Sequence, residues 1–286
     1  MKLSIYMALR DGIRHDYPYL ESIRHHLPLA DEIIVNEGYS TDGTYETLVN
    51  LDPKIKIFRT HWKPENGEDW WIHFKDAARR QCTGDWCLHL DSDEFIPEWE
   101  FERLRDELQT TEENLLPVQF VNFYGNYRVC HADPEKSHWI TRKMIIHRNV
   151  PEIEFWGDGS NVRLKDEPFA WGSDEPHFHV HHFGGVRYPG RLRQAWWLQG
   201  RFRTGRSVKL RPPQWVFDLF PMKWADRDFM DHLVIYDGPL IKAVRDNPRR
   251  FARDKYELLG LVTERAAPVS VPVRQPMSMP IRHRTA

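Results

Sequence analysis

The chain has 286 residues, 41% of them hydrophobic and 29% charged, with a formal net charge of −2. That length suits one large domain, or one domain with a smaller appendage, around a sizeable core, and no run approaches the roughly 18 apolar residues of a membrane span. Three cysteines, an odd count without metal-ligand spacing, argue against a disulfide framework and suggest a reducing, cytoplasmic setting.

The opening MKLSIYMALRDG becomes charged too early for a secretory signal, so none is expected. Its KLSIYMAL portion predicts a first strand, followed by a loop and an amphipathic helix within RDGIRHDYPYLESIRHHLPLA. DEIIVNEG reads as a second strand. STDGTYETLVNL reads as a helix with Ser40 as N-cap, and KIKIFRTHW as a third strand. WWIHFKDAARRQCTG is expected to be helical and to stop at Gly84 as a C-cap. DWCLHL is a fourth strand that delivers Asp91, Ser92, Asp93 and Glu94. Strand and helix alternating at this spacing predict an α/β fold with a mostly parallel sheet. In such sheets ligands collect at the carboxyl ends of the strands.

The pattern changes after about residue 115. LPVQFVNFYGNYRV, HWITRKMIIHR and PHFHVHHFGGVR look like strands with longer connections, and 190–262 looks mostly helical. The tail APVSVPVRQPMSMPIRHRTA is Pro-rich and aperiodic, which predicts little fixed structure.

The acidic run LDSDEF carries the clearest chemistry. At a strand end, Asp91 and Asp93 share a face. Two carboxylates converging in a cleft repel unless a cation lies between them, and hard oxygen ligands suit Mg2+ or Mn2+. An isolated D-x-D is often an ordinary acidic turn; here the apolar strand before it argues for a use. In IIVNEGYSTDGT a strand ends at Asn36 and Glu37, and a carboxylate there can accept hydrogen bonds from a nucleobase or ribose. By itself this stretch is also a plain strand-to-helix loop.

Together these segments resemble glycosyltransferase family 2, whose signature reads V-D-D-G-S-T-D-G-T and whose fold is GT-A. The spacing to FKDAARRQCTGDWCLHLDSDEF is similar to that family's helix, turn, strand and D-x-D. VNFYGNYRV, RKMIIHRN, EFWGDGSNVR and HVHHFGGVRYP look like the second half of a bacterial branch, so the resemblance covers roughly 1–190. Asn36 and Glu37 stand where two Asp are usual, and Tyr39 is an insertion.

The resemblance implies a metal-dependent, inverting enzyme that moves a sugar from a nucleotide-sugar, a UDP-sugar above all, to a hydroxyl acceptor. It implies that Asp93 binds Mn2+ or Mg2+ directly, that Asp91 reaches the ribose or acts through water, and that Glu37 lies at the base. The ion would stabilise the leaving nucleoside diphosphate. On this reading Asp93→Ala abolishes transfer with little loss of fold. Of the histidines in PHFHVHHFGGVR, alternation puts His177, His179 and His181 on one strand face and His182 on the other. A His-only zinc site is a rival use of that strand. The resemblance favours His182 as third ligand or diphosphate contact, and Arg187 is a bidentate diphosphate candidate. Inversion requires a base for the acceptor hydroxyl. Asp158, flanked by glycines in WGDGSN, is the first candidate, with Glu154 and Asp174 behind it.

Charge is unevenly distributed. Residues 1–181 carry 20 Lys and Arg against 33 Asp and Glu, whereas 182–286 carry 20 against 9. The two parts are expected to attract each other, or the basic part to meet a polyanion. RLRQAWWLQGRFRTGRSVKLRPPQW interleaves cations with Trp196, Trp197, Phe202 and Trp215, a composition that fits base stacking, sugar binding, a lipid phosphate surface or a packed amphipathic helix. The expected organisation is a GT-A catalytic domain over 1–190, a basic, mostly helical region over 191–265 and a flexible tail over 266–286. The acceptor is expected to be a saccharide or lipid-linked glycan. The basic half keeps open a phage-type enzyme that glycosylates hydroxymethylated DNA bases. Two other classes remain: a nucleotidyltransferase, although ALRDGIRHDY lacks the Gly-rich basic loop, and a non-catalytic sugar-binding module.

Overall fold

The computed structural model describes residues 1–62, 70–131, 142–157, 159–167, 178–203, 212–220, 223 and 232–265. The expected α/β organisation is present. Strands β1 (Leu3–Leu9), β2 (Glu32–Glu37), β3 (Ile55–Arg59) and β4 (Trp86–His89) run parallel in the order β3-β2-β1-β4. Helices α1 (Tyr19–His26), α2 (Thr44–Leu48) and α3 (Trp70–Arg79) connect them. Leu3, Ile5, Met7 and Leu9 of β1 pack with Ile23 of α1 in one core layer. Tyr6, between them in sequence, turns to the opposite layer with Ala78 of α3. This is the two-residue periodicity of a strand covered on both faces.

Two small features differ from expectation. Ser40 does not cap α2, whose N-cap is Gly43 in the left-handed region at φ 92°. Ser40 Oγ instead accepts from the Asp11 amide at 2.8 Å, joining the loops that follow β1 and β2. Gly84 lies five residues beyond the end of α3. A Cβ there would meet Ser4 Oγ at 2.7 Å and the Lys2 carbonyl at 2.8 Å, so close backbone approach is what this glycine permits.

The antiparallel part extends the sheet from β4. A two-residue strand, β5 (Glu94–Phe95), follows the acidic turn, and α4 (Phe101–Thr110) leads to β6 (Leu115–Tyr124). NFYGNYRV, expected as one strand, turns at Gly125 (φ 64°) into β7 (Asn126–His131). β8 (Arg142–Arg148) lies between β4 and β6, antiparallel to both. β9 (Ile153–Trp156) and β10 (Asn161–Leu164) form a separate hairpin, and β11 (Phe178–Gly185) pairs with β6 and β5.

Among its described residues the C-terminal part carries a strand as well as the expected helices. α5 (Pro189–Arg203) and α6 (Gln214–Leu219) are followed by β12 (Leu233–Ile235), which adds to β7. α7 (Lys242–Asp246) and α8 (Glu257–Arg265) complete the described chain. The expected attraction between oppositely charged parts takes a specific form. Asp16 is held by Arg250 at 3.1 Å and Arg253 at 2.9 Å, and Glu98 by Arg245 at 2.7 Å. The tail 266–286 lies outside the described residues. Among the described residues no helix is long and apolar enough to cross a membrane.

Candidate functional site

β4 ends at His89, and the chain turns immediately. The Glu94 amide donates to the Asp91 carbonyl at 3.1 Å, and the Asp91 amide to Glu94 Oε2 at 2.8 Å. β5 then pairs antiparallel with β11, with Glu94 opposite His182. The Phe183 amide donates to the Asp93 carbonyl at 2.8 Å. The acidic turn is thus fastened to a strand some ninety positions later in the chain, and this brings Asp93 beside His182.

Each acid of the turn meets a cation. Lys75 of α3 lies 3.0 Å from Asp91, Arg187 3.1 Å from Asp93 and Lys143 of β8 2.7 Å from Glu94. Buried charges persist only with such partners. Burial alone would raise the Asp91 pKa; the Lys75 ammonium, then His89 and Lys143, hold it below the ordinary carboxylate range. Lys143 is shifted upward: burial opposes its charge, but Glu94 and the two aspartates outweigh it.

Asp93, His182 and Arg187 converge. His182 Nε2 stands 3.7 Å from Asp93 Oδ1, and its Nδ1 is bonded to Asn122 Oδ1 at 2.7 Å. Arg187 stacks over Tyr17, its guanidinium carbon 4.0 Å from the ring centroid. Its buried Nε has no hydrogen-bond partner among the described residues. Gly184 opens the space between these groups: a Cβ there would lie 2.4 Å from His182 Nε2 and 3.0 Å from Asp93 Oδ2.

A divalent ion fits part of this set. Carboxylate oxygen and imidazole nitrogen suit Mn2+ or Mg2+. A ligating His whose second ring nitrogen is fixed by an amide oxygen is the usual supporting arrangement. Asp91 stands apart, its carboxylate directed at Lys75 and His89. Of the expected Asp91, Asp93 and His182, the structure brings Asp93 and His182 together. Among the described residues no three His, Cys, Asp or Glu side chains form a ready-made metal cage.

Glu37 is fully buried at the end of β2 and has three partners within the chain. The Ser40 amide donates to it at 2.6 Å, the Tyr39 amide at 3.1 Å and Arg59 Nε at 2.6 Å. Arg59 in turn lies between Tyr39 and Tyr45, 4.3 and 4.1 Å from their centroids. Tyr39 stacks on His61 at 4.0 Å. The carboxylate organises a layered aromatic and cationic surface at the end of β2, with Tyr39 in the left-handed region at φ 53°.

The other histidines of β11 go elsewhere. His179 pairs with Glu100 at 2.8 Å. His181 sits among Phe123, Trp99 and Tyr236, and burial pushes its pKa down to about 3. His177 lies outside the described residues, as do Asp158 and Asp174. Glu154 forms an ion pair with Arg163 at 2.8 Å. The Gly159 carbonyl, next to Asp158 in the chain, accepts from Lys75 at 3.1 Å.

Lys75, Lys143, Asn122, Tyr17 and Gly184 were not singled out from sequence. Lys75 left a trace: with Phe74 and Ala78 it falls on the buried side of α3, where an unpaired lysine is costly. Asn122 left none, because only strand pairing brings it to His182.

Comparison with known proteins adds an independent line. The family model described as Glycosyl transferase family 2 matches residues 17–160, half of the chain. An uncharacterized glycosyltransferase of Rickettsia bellii is 27% identical over 143 residues, which is 50% of this chain and 39% of that protein. The match thus spans less than half of that relative's length. S. aureus TarS, solved in complex with UDP, overlaps with a TM-score of 0.43 at 14% identity over 80% of this chain and 72% of that one. Glucosyl-3-phosphoglycerate synthase from Mycobacterium tuberculosis, solved with Mn2+, UDP and phosphoglyceric acid, overlaps with a TM-score of 0.31. It is 20% identical over 42% of this chain and 43% of that one. On the family match over half its length, this chain belongs to glycosyl transferase family 2.

Proposed function

We propose that the protein is a metal-dependent, inverting glycosyltransferase that moves a sugar from a nucleotide-sugar, a UDP-sugar, to a hydroxyl acceptor. One observation carries this reading: His182 and Arg187 converge with Asp93, some ninety positions earlier in the chain, just beyond the end of β4, where the buried Arg187 Nε has no partner among the described residues.

Asp93 and His182 would hold Mn2+ or Mg2+. When bound, such an ion supplies charge neutralisation for the departing diphosphate. Arg187, rigidly stacked on Tyr17, donates to diphosphate oxygens. Lys75 keeps Asp91 ionised and directed inward, from where Asp91 reaches the ribose or acts through water. Glu37 supports donor binding through the Tyr39–Arg59–Tyr45 layer it organises. Asp158, next in the chain to Gly159, whose carbonyl accepts from Lys75, is the base we assign to the acceptor hydroxyl. Residues 1–190 then form the donor and catalytic unit, and 191–265 the acceptor side. A saccharide or lipid-linked glycan is the acceptor class this reading takes. Part of the C-terminal cationic excess is paired internally with Asp16 and Glu98, which weakens the charge argument for duplex DNA.

The test is release of nucleoside diphosphate from a panel of nucleotide-sugars with and without Mn2+, alongside thermal shifts. A donor that both stabilises the protein and is hydrolysed only with metal supports the proposal. Stabilisation without any release, under every metal tried, would make the chain a binding module.

A further inference from the structure

Asp16 joins three parts of the chain that are distant in sequence. It lies in the loop between β1 and α1, buried, with its backbone in the left-handed region at φ 55°. Outside glycine that conformation costs energy and persists where surrounding contacts hold it. Its two carboxylate oxygens have separate partners. Oδ2 accepts from the Tyr188 amide at 2.9 Å. Oδ1 accepts from Arg253 Nη2 at 2.9 Å and faces Arg250 Nη1 at 3.1 Å. The Asp16 carbonyl accepts from Arg250 Nη2 at 2.9 Å.

The neighbours of the first contact make a second one beside it. Tyr17, next after Asp16, supports the Arg187 guanidinium at 4.0 Å, and Arg187 is the residue before Tyr188. A displacement of Asp16 therefore carries the ring on which Arg187 rests. The other end of the linkage is anchored. Arg253 lies over the Tyr188 ring at 4.4 Å and donates to its hydroxyl at 3.0 Å. Between the two arginines in sequence, Phe251 is fully buried, its ring 4.7 Å from that of Phe183 and 5.7 Å from that of Phe95. Phe183 follows His182 in the chain, and Phe95 follows the acidic turn. The segment 250–253 thus grips Asp16 from a base packed against both strands that carry the site.

We propose that Asp16 is a positioning residue for Arg187: it transmits the hold of the C-terminal segment, through Tyr188 and Tyr17, to the guanidinium assigned to the donor diphosphate. This rests on the diphosphate role of Arg187 in the transferase reading. An ion pair that only stabilised the fold would need the carboxylate and its two arginines. Here the second oxygen is committed to the amide adjoining Arg187, and the next side chain to Arg187 itself. A group misplaced by about 1 Å in such a site can cost about a hundredfold. Part of the C-terminal region then serves the donor side.

The experiment is a double-mutant cycle on the full chain, read by calorimetric binding of UDP in Mn2+. Asn tolerates the left-handed backbone, so Asp16→Asn removes the charge without forcing the loop. It should weaken UDP binding at least about tenfold. In an Arg187→Met background, itself weakened, the same substitution should cost less than about twofold. Arg253→Gln loosens the linkage from the C-terminal side and should show the same pattern at smaller size, which keeps the test decisive should Asp16→Asn fold poorly. Hydrogen exchange at the Tyr188 amide should quicken in Asp16→Asn with no nucleotide present. Equal losses in the two backgrounds would mean a structural role only and overturn the proposal. So would unchanged UDP binding in Asp16→Asn, wild-type binding by Arg187→Met, or undiminished protection of the Tyr188 amide. Absence of UDP binding by the wild type removes the diphosphate role of Arg187 and this inference with it. A wild type that binds UDP but releases none from a UDP-sugar under any metal defeats the transferase reading alone, and the cycle still decides the role of Asp16.

Discussion

His182 Nε2 and Asp93 Oδ1 face each other across 3.7 Å, too far for a hydrogen bond and close enough for one cation to touch both. The gap is maintained from two sides. Asn122 holds the imidazole from behind, and Gly184 contributes no side chain to fill the space.

Gly184→Ala should therefore act as a plug. Its methyl would lie 2.4 Å from His182 Nε2, so the imidazole must swing away from Asp93. Donor-dependent release of nucleoside diphosphate is expected to fall by at least about a hundredfold, with a smaller change in melting temperature. Normal turnover by this variant would show that the His182–Asp93 gap is not used.

Asn122→Ala should leave both ligands in place but free the ring. Loss of such a supporting contact typically costs about 10–100-fold in metal affinity. The measurement is the Mn2+ concentration at half-maximal donor-induced thermal shift. Rescue at high Mn2+ is expected for this variant and not for His182→Ala.

Asp93 requires a different substitution from the one suggested by sequence. Because it is buried against Arg187, Asp93→Ala would strand a buried guanidinium, at a cost of about 3–5 kcal/mol. The expectation of little loss of fold is corrected accordingly. Asp93→Asn retains the shape and an acceptor for Arg187. It should abolish turnover while the urea midpoint moves far less than in the alanine variant.

Glu37→Ala should cost stability as well as donor binding. It removes the acceptor for two backbone amides and for Arg59, a loss of about 2–4 kcal/mol. A fall in the urea midpoint at unchanged slope is the expected signature. A variant with wild-type stability would show that the Tyr39–Arg59–Tyr45 layer stands without it.

Acid should destabilise the fold through buried neutral imidazoles. Burial pushes His147 down to about 4 and lowers His26 well below its ordinary value. Between pH 6.5 and 4 the unfolded chain takes up a proton at His147 that the folded chain refuses. Stability is therefore level above that window and falls within it, by at most about 1.4 kcal/mol per pH unit for each ring. Unfolding midpoints at about pH 7.5 and about pH 5.5 should differ less in His147→Gln than in wild type. Equal differences would clear His147 of the effect.

The layout of the parallel half was legible because it depends on local rules. β1, β2 and β4 are apolar runs followed by polar residues and β3 alternates, with helices between. The acidic turn was legible for the same reason, since three acids after an apolar strand violate local patterning unless they have partners. Ser40 and Gly84 misled because each suits a helix terminus, whereas the structure uses them for contacts between loops and between chain segments. β5, β9, β10 and β12 are two to four residues long, too short for a period to register.

By itself, the sequence determined that an α/β sheet would present carboxylates at a strand exit and that His182 and Arg187 were candidates to join them. Only the tertiary structure decided which partners they have: Asp93 with His182 and Arg187, Asp91 with Lys75, Glu94 with Lys143, and Glu37 with its own loop. The reason is physical. Local pattern reports which side chains must be buried or solvated, but a buried charge is stabilised by whichever opposite charge the strand register brings within about 3–4 Å. That register is a property of the assembled sheet.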